Sequence, residues 1–205
     1  MVLWPSRRAM FRMTPIVATA MLVASAIAAC GGHVTITVNG RPIAPGHVTF
    51  RPAKVGPDGS ITGTYFRANL PAGWVNGAAF FARDPSVEVA IKKAPTTATG
   101  PGIIVTLTEA PADLPLAAYV DISFHHSIAD KTAGKVHVVT GVNSASVAGR
   151  QAEDFTTSNS GNTEWCIYVL YKGVAYDFEL VAPSGQFAAA RSGPFRAFLA
   201  SWQWR

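Results

Sequence analysis

Cysteine is scarce in this chain. Cys30 and Cys166 are the two among 205 residues, and a disulfide framework cannot be built from them once the first is assigned below. Long apolar runs are scarce too. The uncharged stretch "MTPIVATAMLVASAIAA" spans residues 13–29 and is rich in Ala, Ser and Thr. A spanning helix needs about 20 predominantly apolar residues, so this run is too short and too weakly apolar for one. Catalytic signatures are missing as well. No G-x-S-x-G elbow occurs to present a nucleophilic serine, and Ser184 in "APSGQ" reads as a turn after a strand. "VAIK" at residues 89–92 copies the kinase strand that holds ATP, yet no glycine loop precedes it and neither HRD nor DFG follows. Metal-ligand spacing is absent. His125 and His126 are adjacent, and neighbours on a helix point about 100° apart, so they cannot clamp one ion as an i, i+4 pair can. Asp121 and His125 do stand i, i+4, an arrangement that ordinarily supports the helix. These absences lead us to expect no metal, no cofactor and no enzymatic activity.

What is present begins with a leader. Arg7, Arg8 and Arg12 precede the apolar run, and small residues close it. Basic, then apolar, then small is the order of a secretory signal, here residues 1–29. Ile27-Ala28-Ala29-Cys30 matches the bacterial lipobox, in which the cysteine receives a diacylglyceryl group and becomes the new N-terminus. Each buried methylene contributes about 0.8 kcal/mol, and two or more acyl chains hold stably where one does not. Cys30 is therefore expected to anchor an exported protein to the outer face of the cell membrane. "SRRAMF" at residues 6–11 resembles the twin-arginine export motif, as a pair of arginines in any basic leader does, and a start at Met10 or Met13 would remove it. Loss of the three leader arginines lowers the formal balance from +5 to +2, leaving no nucleic-acid footprint.

Beyond the anchor, residues 30–61 read either as a hairpin, "HVTITV" and "HVTFRP" around a Gly/Pro/Asn-rich turn, or as a tether. Residues 62–205 form the main domain. "TGTYFRANLPAGW" is a strand leading into a turn that presents Trp74. "GAAFFAR" and "SVEVAIKK" are two β runs, and "IIVTLTEAP" is another. Leu116, Val120, Phe124 and Ile128 recur at four-residue spacing with Tyr119 beside them, which predicts a helix with Pro115 in its first turn. "KVHVVTG" and "ASVAGRQAEDFTTS" return to strand, with Gly149 at a turn. "TEWCIYVLYKGVAYDFELVAP" alternates on both sides of Lys172-Gly173 and predicts a tight hairpin, with Cys166 as a small buried hydrophobe. In "RSGPFRAFLASWQWR", Ser192 can cap a helix and Pro194 suits its first turn, with Phe195, Phe198, Leu199 and Trp202 facing a core. The expected fold is α+β: a curved antiparallel sheet of six or more strands packed with two helices.

"FRANLPAGW", "LPLAAYVDISF", "VAGRQAEDF", "WCIYVLYKGVAYDFEL" and "FRAFLASWQW", in this order over roughly residues 62–205, resemble the PsbP-like superfamily. That group includes the extrinsic PsbP subunit of photosystem II and actinobacterial LpqN-type lipoproteins. The resemblance implies a curved antiparallel sheet packed between helices and a non-enzymatic accessory or binding role. It supplies no shared catalytic motif, and the opening hairpin has no counterpart in it. An excess of Arg over Lys and much Ala fit a GC-rich actinobacterial source. Of the indoles, Trp74, Trp202 and Trp204 are the candidates for contact with a partner or ligand, although the same side chains can simply close the core. Two partners are in view: an envelope protein met at an exposed patch, or a lipid or other apolar envelope molecule held between sheet and helix.

Overall fold

The computed structural model describes residues 37–38, 41–42, 52–81, 86–95, 100–110, 113–129, 136–159 and 161–205. All of them fall in the unit Val34–Arg205. The leader and Cys30 lie outside the described residues, as does most of the second arm of the expected hairpin. Of the first arm, β1 (Thr37–Val38) is described, and it pairs antiparallel with β2 (Arg41–Pro42), which lies inside the expected turn rather than in the expected second arm, with only Asn39 and Gly40 between them.

The longest ladder forms where the turn chemistry is strongest. β11 (Asn162–Tyr171) and β12 (Val174–Pro183) pair over their whole length. Lys172 (φ 52°) and Gly173 (φ 74°) make the two-residue turn between them, the doubly left-handed geometry that matches strand twist. β9 (His137–Val147) and β10 (Arg150–Asn159) repeat the device with Ala148 (φ 48°) and Gly149 (φ 80°). With β6 (Trp74–Asn76), β7 (Val87–Lys93) and β8 (Gly102–Glu109) they form a seven-stranded antiparallel sheet, ordered β6-β7-β8-β12-β11-β10-β9. A second sheet, ordered β13-β5-β4-β3, is built from β3 (Lys54–Val55), β4 (Ser60–Thr62), β5 (Phe66–Asn69) and β13 (Gln203–Trp204).

Both faces of the β11–β12 hairpin are covered. Trp165, Ile167 and Val169 alternate with Cys166 and Tyr168, and the odd-numbered set joins Val174, Tyr176, Phe178 and Leu180 in the main core. Ile61 and Phe66 of the second sheet, and Phe195, Phe198 and Trp202 near the C-terminus, close that core from the other side. Each such side chain contributes about 1.5–3 kcal/mol on burial. The opposite face meets α1 (Leu116–Ala129), whose Val120 is fully buried against Phe155, Cys166 and Tyr168, with Leu116, Tyr119 and Phe124 alongside. The Pro115 carbonyl accepts the Tyr119 N–H at 3.1 Å, opening the helix as expected.

The architecture is the expected α+β sandwich, with three corrections in its parts. "GAAFFAR" is not a β run: Ala78–Phe81 is a 3-10 turn. Asn76 Oδ1 accepts the Ala78 N–H at 2.9 Å, so a side chain caps the turn and breaks the extended backbone. The C-terminal helix starts at Ser184 rather than at Ser192. It runs through α2 (Ser184–Ala190), a π-helical turn (Arg191–Phe195) and α3 (Arg196–Ser201). Ser192 does not cap it, because its hydroxyl donates back to the Ala188 carbonyl at 2.9 Å. Pro194, which lacks an N–H, is absorbed by the wider turn. Ser184 accordingly opens a helix, its N–H given to the Gly161 carbonyl at 2.8 Å.

Candidate functional site

The chain leaves its last helix at Trp202, whose backbone is extended (φ −69°, ψ 132°), and enters β13. This places two indoles at different depths. Trp202 is 2% exposed and stacks on Phe66 with ring centroids 3.8 Å apart. Its Nε1 is buried with no hydrogen-bond partner among the described residues. Trp204 is half-buried, and its Nε1 donates to the Val147 carbonyl at 3.1 Å, tying β13 to the β9–β10 turn. Its ring lies 4.8 Å from that of Tyr171.

A cleft of about 730 Å³ opens beside them, lined by Leu116, Ala148, Gly149, Arg150, Gln151, Leu170, Trp202, Gln203 and Trp204. Four elements meet there: the start of α1, the β9–β10 turn, the end of β11 and β13. Arg150 stacks its guanidinium 4.1 Å above the Tyr171 ring. The Tyr171 hydroxyl and Lys172 Nζ both donate to the Arg205 carbonyl, each at 2.6 Å, which holds Arg205 beside the cleft. The lining can stack on apolar groups, meet an anion at Arg150 and exchange hydrogen bonds through Gln151 and Gln203. No group in it is a nucleophile with a base beside it.

Of the three tryptophans singled out from sequence, Trp202 and Trp204 line this cleft and Trp74 does not. Trp74 is 6% exposed and belongs to the main core. Arg150, Gln151, Gln203, Leu116 and Leu170 were not among the candidates. Only the polar turn around Ala148-Gly149 hinted at them. His125 Nε2 lies 3.2 Å from Asp121 Oδ1 on the exposed side of α1, the local pair anticipated there.

A cluster of three acids and one further buried acid escaped the sequence reading. Glu164, Asp177 and Glu179 lie on the α1-side face of the β11–β12 hairpin. Asp177 and Glu164 each hydrogen-bond to Glu179. Burial, then repulsion among the carboxylates, pushes Glu164 and Asp177 well above the usual carboxylate range. Burial also pushes the Cys166 thiol upward, which makes it inert. On the other face, Glu88 is 4% exposed. Its Oε1 accepts the Thr64 N–H at 3.1 Å and its Oε2 has no partner among the described residues. Burial raises its carboxyl to about 7 against the opposing pull of that N–H. Among the described residues no group of three or more His, Cys, Asp or Glu side chains could hold a metal ion. No described helix is long and apolar enough to cross a membrane.

Comparison with solved structures decides the fold. Cyanobacterial PsbP (CyanoP) from Synechocystis superposes with a TM-score of 0.51 at 14% identity, over 85% of this chain and 100% of that one. The fold is PsbP-like. LpqN of Mycobacterium tuberculosis, described as involved in cell envelope biogenesis, gives a TM-score of 0.49 at 10% identity, over 68% of this chain and 82% of its own. No protein-family model and no curated protein matches the chain. At such identities the PsbP-like likeness speaks to architecture, and the function has to be argued from the cleft.

Proposed function

We propose that this protein is a lipid-anchored module of the cell envelope, held to the outer face of the membrane through Cys30, that binds another envelope protein at the Trp204 cleft without catalysing a reaction. The observation that carries this reading is the lining itself. It sets one half-buried indole, one guanidinium and two amides around an open cleft, a mixture suited to a protein surface. A carrier of an apolar molecule calls for a largely apolar pocket. Here the space between the two sheets is filled by Phe66, Tyr176, Phe178, Phe198 and Trp202, which weighs against such a carrier. A catalytic reading lacks its chemistry, since the strongly shifted acids are buried apart from the cleft lining and the thiol is inert.

The test is photocrosslinking in the native host. A benzophenone side chain placed at the exposed Gln203 should give one discrete protein adduct on irradiation, and Trp204→Ala should abolish it. Absence of any adduct at Gln203, with the protein intact and exported, would overturn the assignment of this cleft.

A further inference from the structure

The described strand ladders stop at the cleft in a regular way. Arg150 and Val147 flank the two-residue β9–β10 turn and pair with each other. In an antiparallel ladder, alternate residues turn their N–H and C=O to opposite sides. Gln151 therefore directs its main-chain groups away from β9, toward β11. Tyr171 and Val174 flank the other two-residue turn in the same way, so Leu170 directs its main-chain groups toward β10. Gln151 and Leu170 would form the next hydrogen-bonded pair of the β10–β11 ladder. That ladder stops one step earlier, at Glu153 opposite Tyr168. β13 adds a third position. The Arg205 N–H is given to the Tyr65 carbonyl at 2.8 Å, so Trp204 turns its own N–H and C=O away from β5. Among the described strands, β13 is the edge of its sheet. Gln151, Leu170 and Trp204 all line the same cleft.

We propose that the cleft captures its partner as an extended peptide, which enters as a strand and hydrogen-bonds to the main chain of Gln151, Leu170 and Trp204. This rests on the reading of the cleft as a docking surface and adds the mode of recognition. Strand edges left open beside a cleft are matched by another extended backbone, which offers donors and acceptors at the same spacing. Among the described residues lining the cleft, Arg150 alone carries a charge, so the peptide presents an acidic residue there. An apolar residue of the peptide faces Trp204 and Leu116.

Displayed libraries of short linear peptides are to be panned on the full-length protein in detergent, and fluorescein-labelled copies of the selected peptides titrated by fluorescence polarisation. Gln151→Pro deletes an N–H that β9 does not use, while Gln151→Ala keeps it. Selected peptides should carry Asp or Glu and bind Gln151→Pro at least about tenfold more weakly, the loss of one main-chain bond in a partly dry site. Gln151→Ala, which loses the side-chain amide but keeps that N–H, should weaken binding clearly less than Gln151→Pro does. Should Gln151→Pro fail to fold, N-methylation along the peptide decides the matter. Strand addition requires that methyl groups weaken binding at every second position and not between. No selected binder, or binders indifferent to both changes, overturns the proposal. A Gln203 adduct in cells without peptide capture would leave the docking surface standing and remove only the strand mode.

Discussion

Replacing Glu88 with glutamine should make the protein more stable, and by an amount set by pH. Glu88 lies between the two sheets with one oxygen held by the Thr64 N–H and the other unpartnered among the described residues. In the unfolded chain its carboxyl titrates near 4.5, and in the fold near 7. Between these values the folded state keeps a proton that the unfolded chain releases, so stability is full below about 4.5 and falls as pH rises through about 7. The gap corresponds to about 3 kcal/mol, taking roughly 1.36 kcal/mol per tenfold in proton affinity. The substituted amide would be neutral throughout and still accept the Thr64 N–H. Glu164 and Asp177, whose carboxyls are raised in the same direction, also make the wild type less stable at higher pH, but they are common to both proteins and cancel in the difference. Urea titrations of wild type and Glu88→Gln from pH 4 to pH 8 should therefore show a stability difference that grows by about 3 kcal/mol across the range. A difference that stays constant would refute the reasoning, because it would mean that Glu88 takes no more protons folded than unfolded.

Further expectations follow from single positions. Cys30→Ser should move the protein from the membrane to the soluble fraction on cell fractionation, and continued membrane retention would remove the anchor from the proposal. Ala148 holds a left-handed backbone (φ 48°) ahead of Gly149, so Ala148→Asn should raise stability by about 1 kcal/mol in the same titrations. Cys166 is 4% exposed and its thiol is shifted upward, so a thiol reagent at neutral pH should label it only after denaturant unfolds the chain.

The β11–β12 hairpin was legible because two independent signals agreed there: a residue pair able to turn, and large apolar side chains at every second position on both sides of it. The stripe Leu116, Val120 and Phe124 announced α1 for the same reason, since its period matches the face that meets Phe155 and Tyr168. Local signals misled where tertiary contacts overrode them. Ser192-Gly193-Pro194 looks like a helix start, yet the helix passes through it by widening one turn. The second sheet left no periodic trace, because its strands are only two to four residues long. The cleft was hidden more deeply. Its lining depends on where the β10–β11 ladder stops, and no stretch of sequence encodes that by itself. Trp204 could be singled out as an indole able to meet a partner, but not the Arg150, Gln151 and Leu170 that complete the surface.

The aromatic contacts tie this surface to the core. Phe66 stacks on Trp202, Trp202 lies 5.4 Å from Trp204, and Trp204 lies 5.0 Å from Tyr176 and 4.8 Å from Tyr171. The row ends at Arg150 above the Tyr171 ring. An occupant of the cleft must touch Trp204 or displace water from it, and the indole's anchor on the Val147 carbonyl leaves the ring little freedom to avoid that contact. Trp74 and Trp165 sit in the core outside the lining and will not sense it. Binding should therefore change the intrinsic fluorescence of the wild type, most visibly in the emission of a half-exposed indole losing water. In Trp204→Phe, which keeps an aromatic ring at that position, most of the change should disappear, leaving only what the buried Trp202 of the lining contributes. A signal of equal size in both proteins would place the occupant elsewhere on the molecule and detach the cleft from the proposed role.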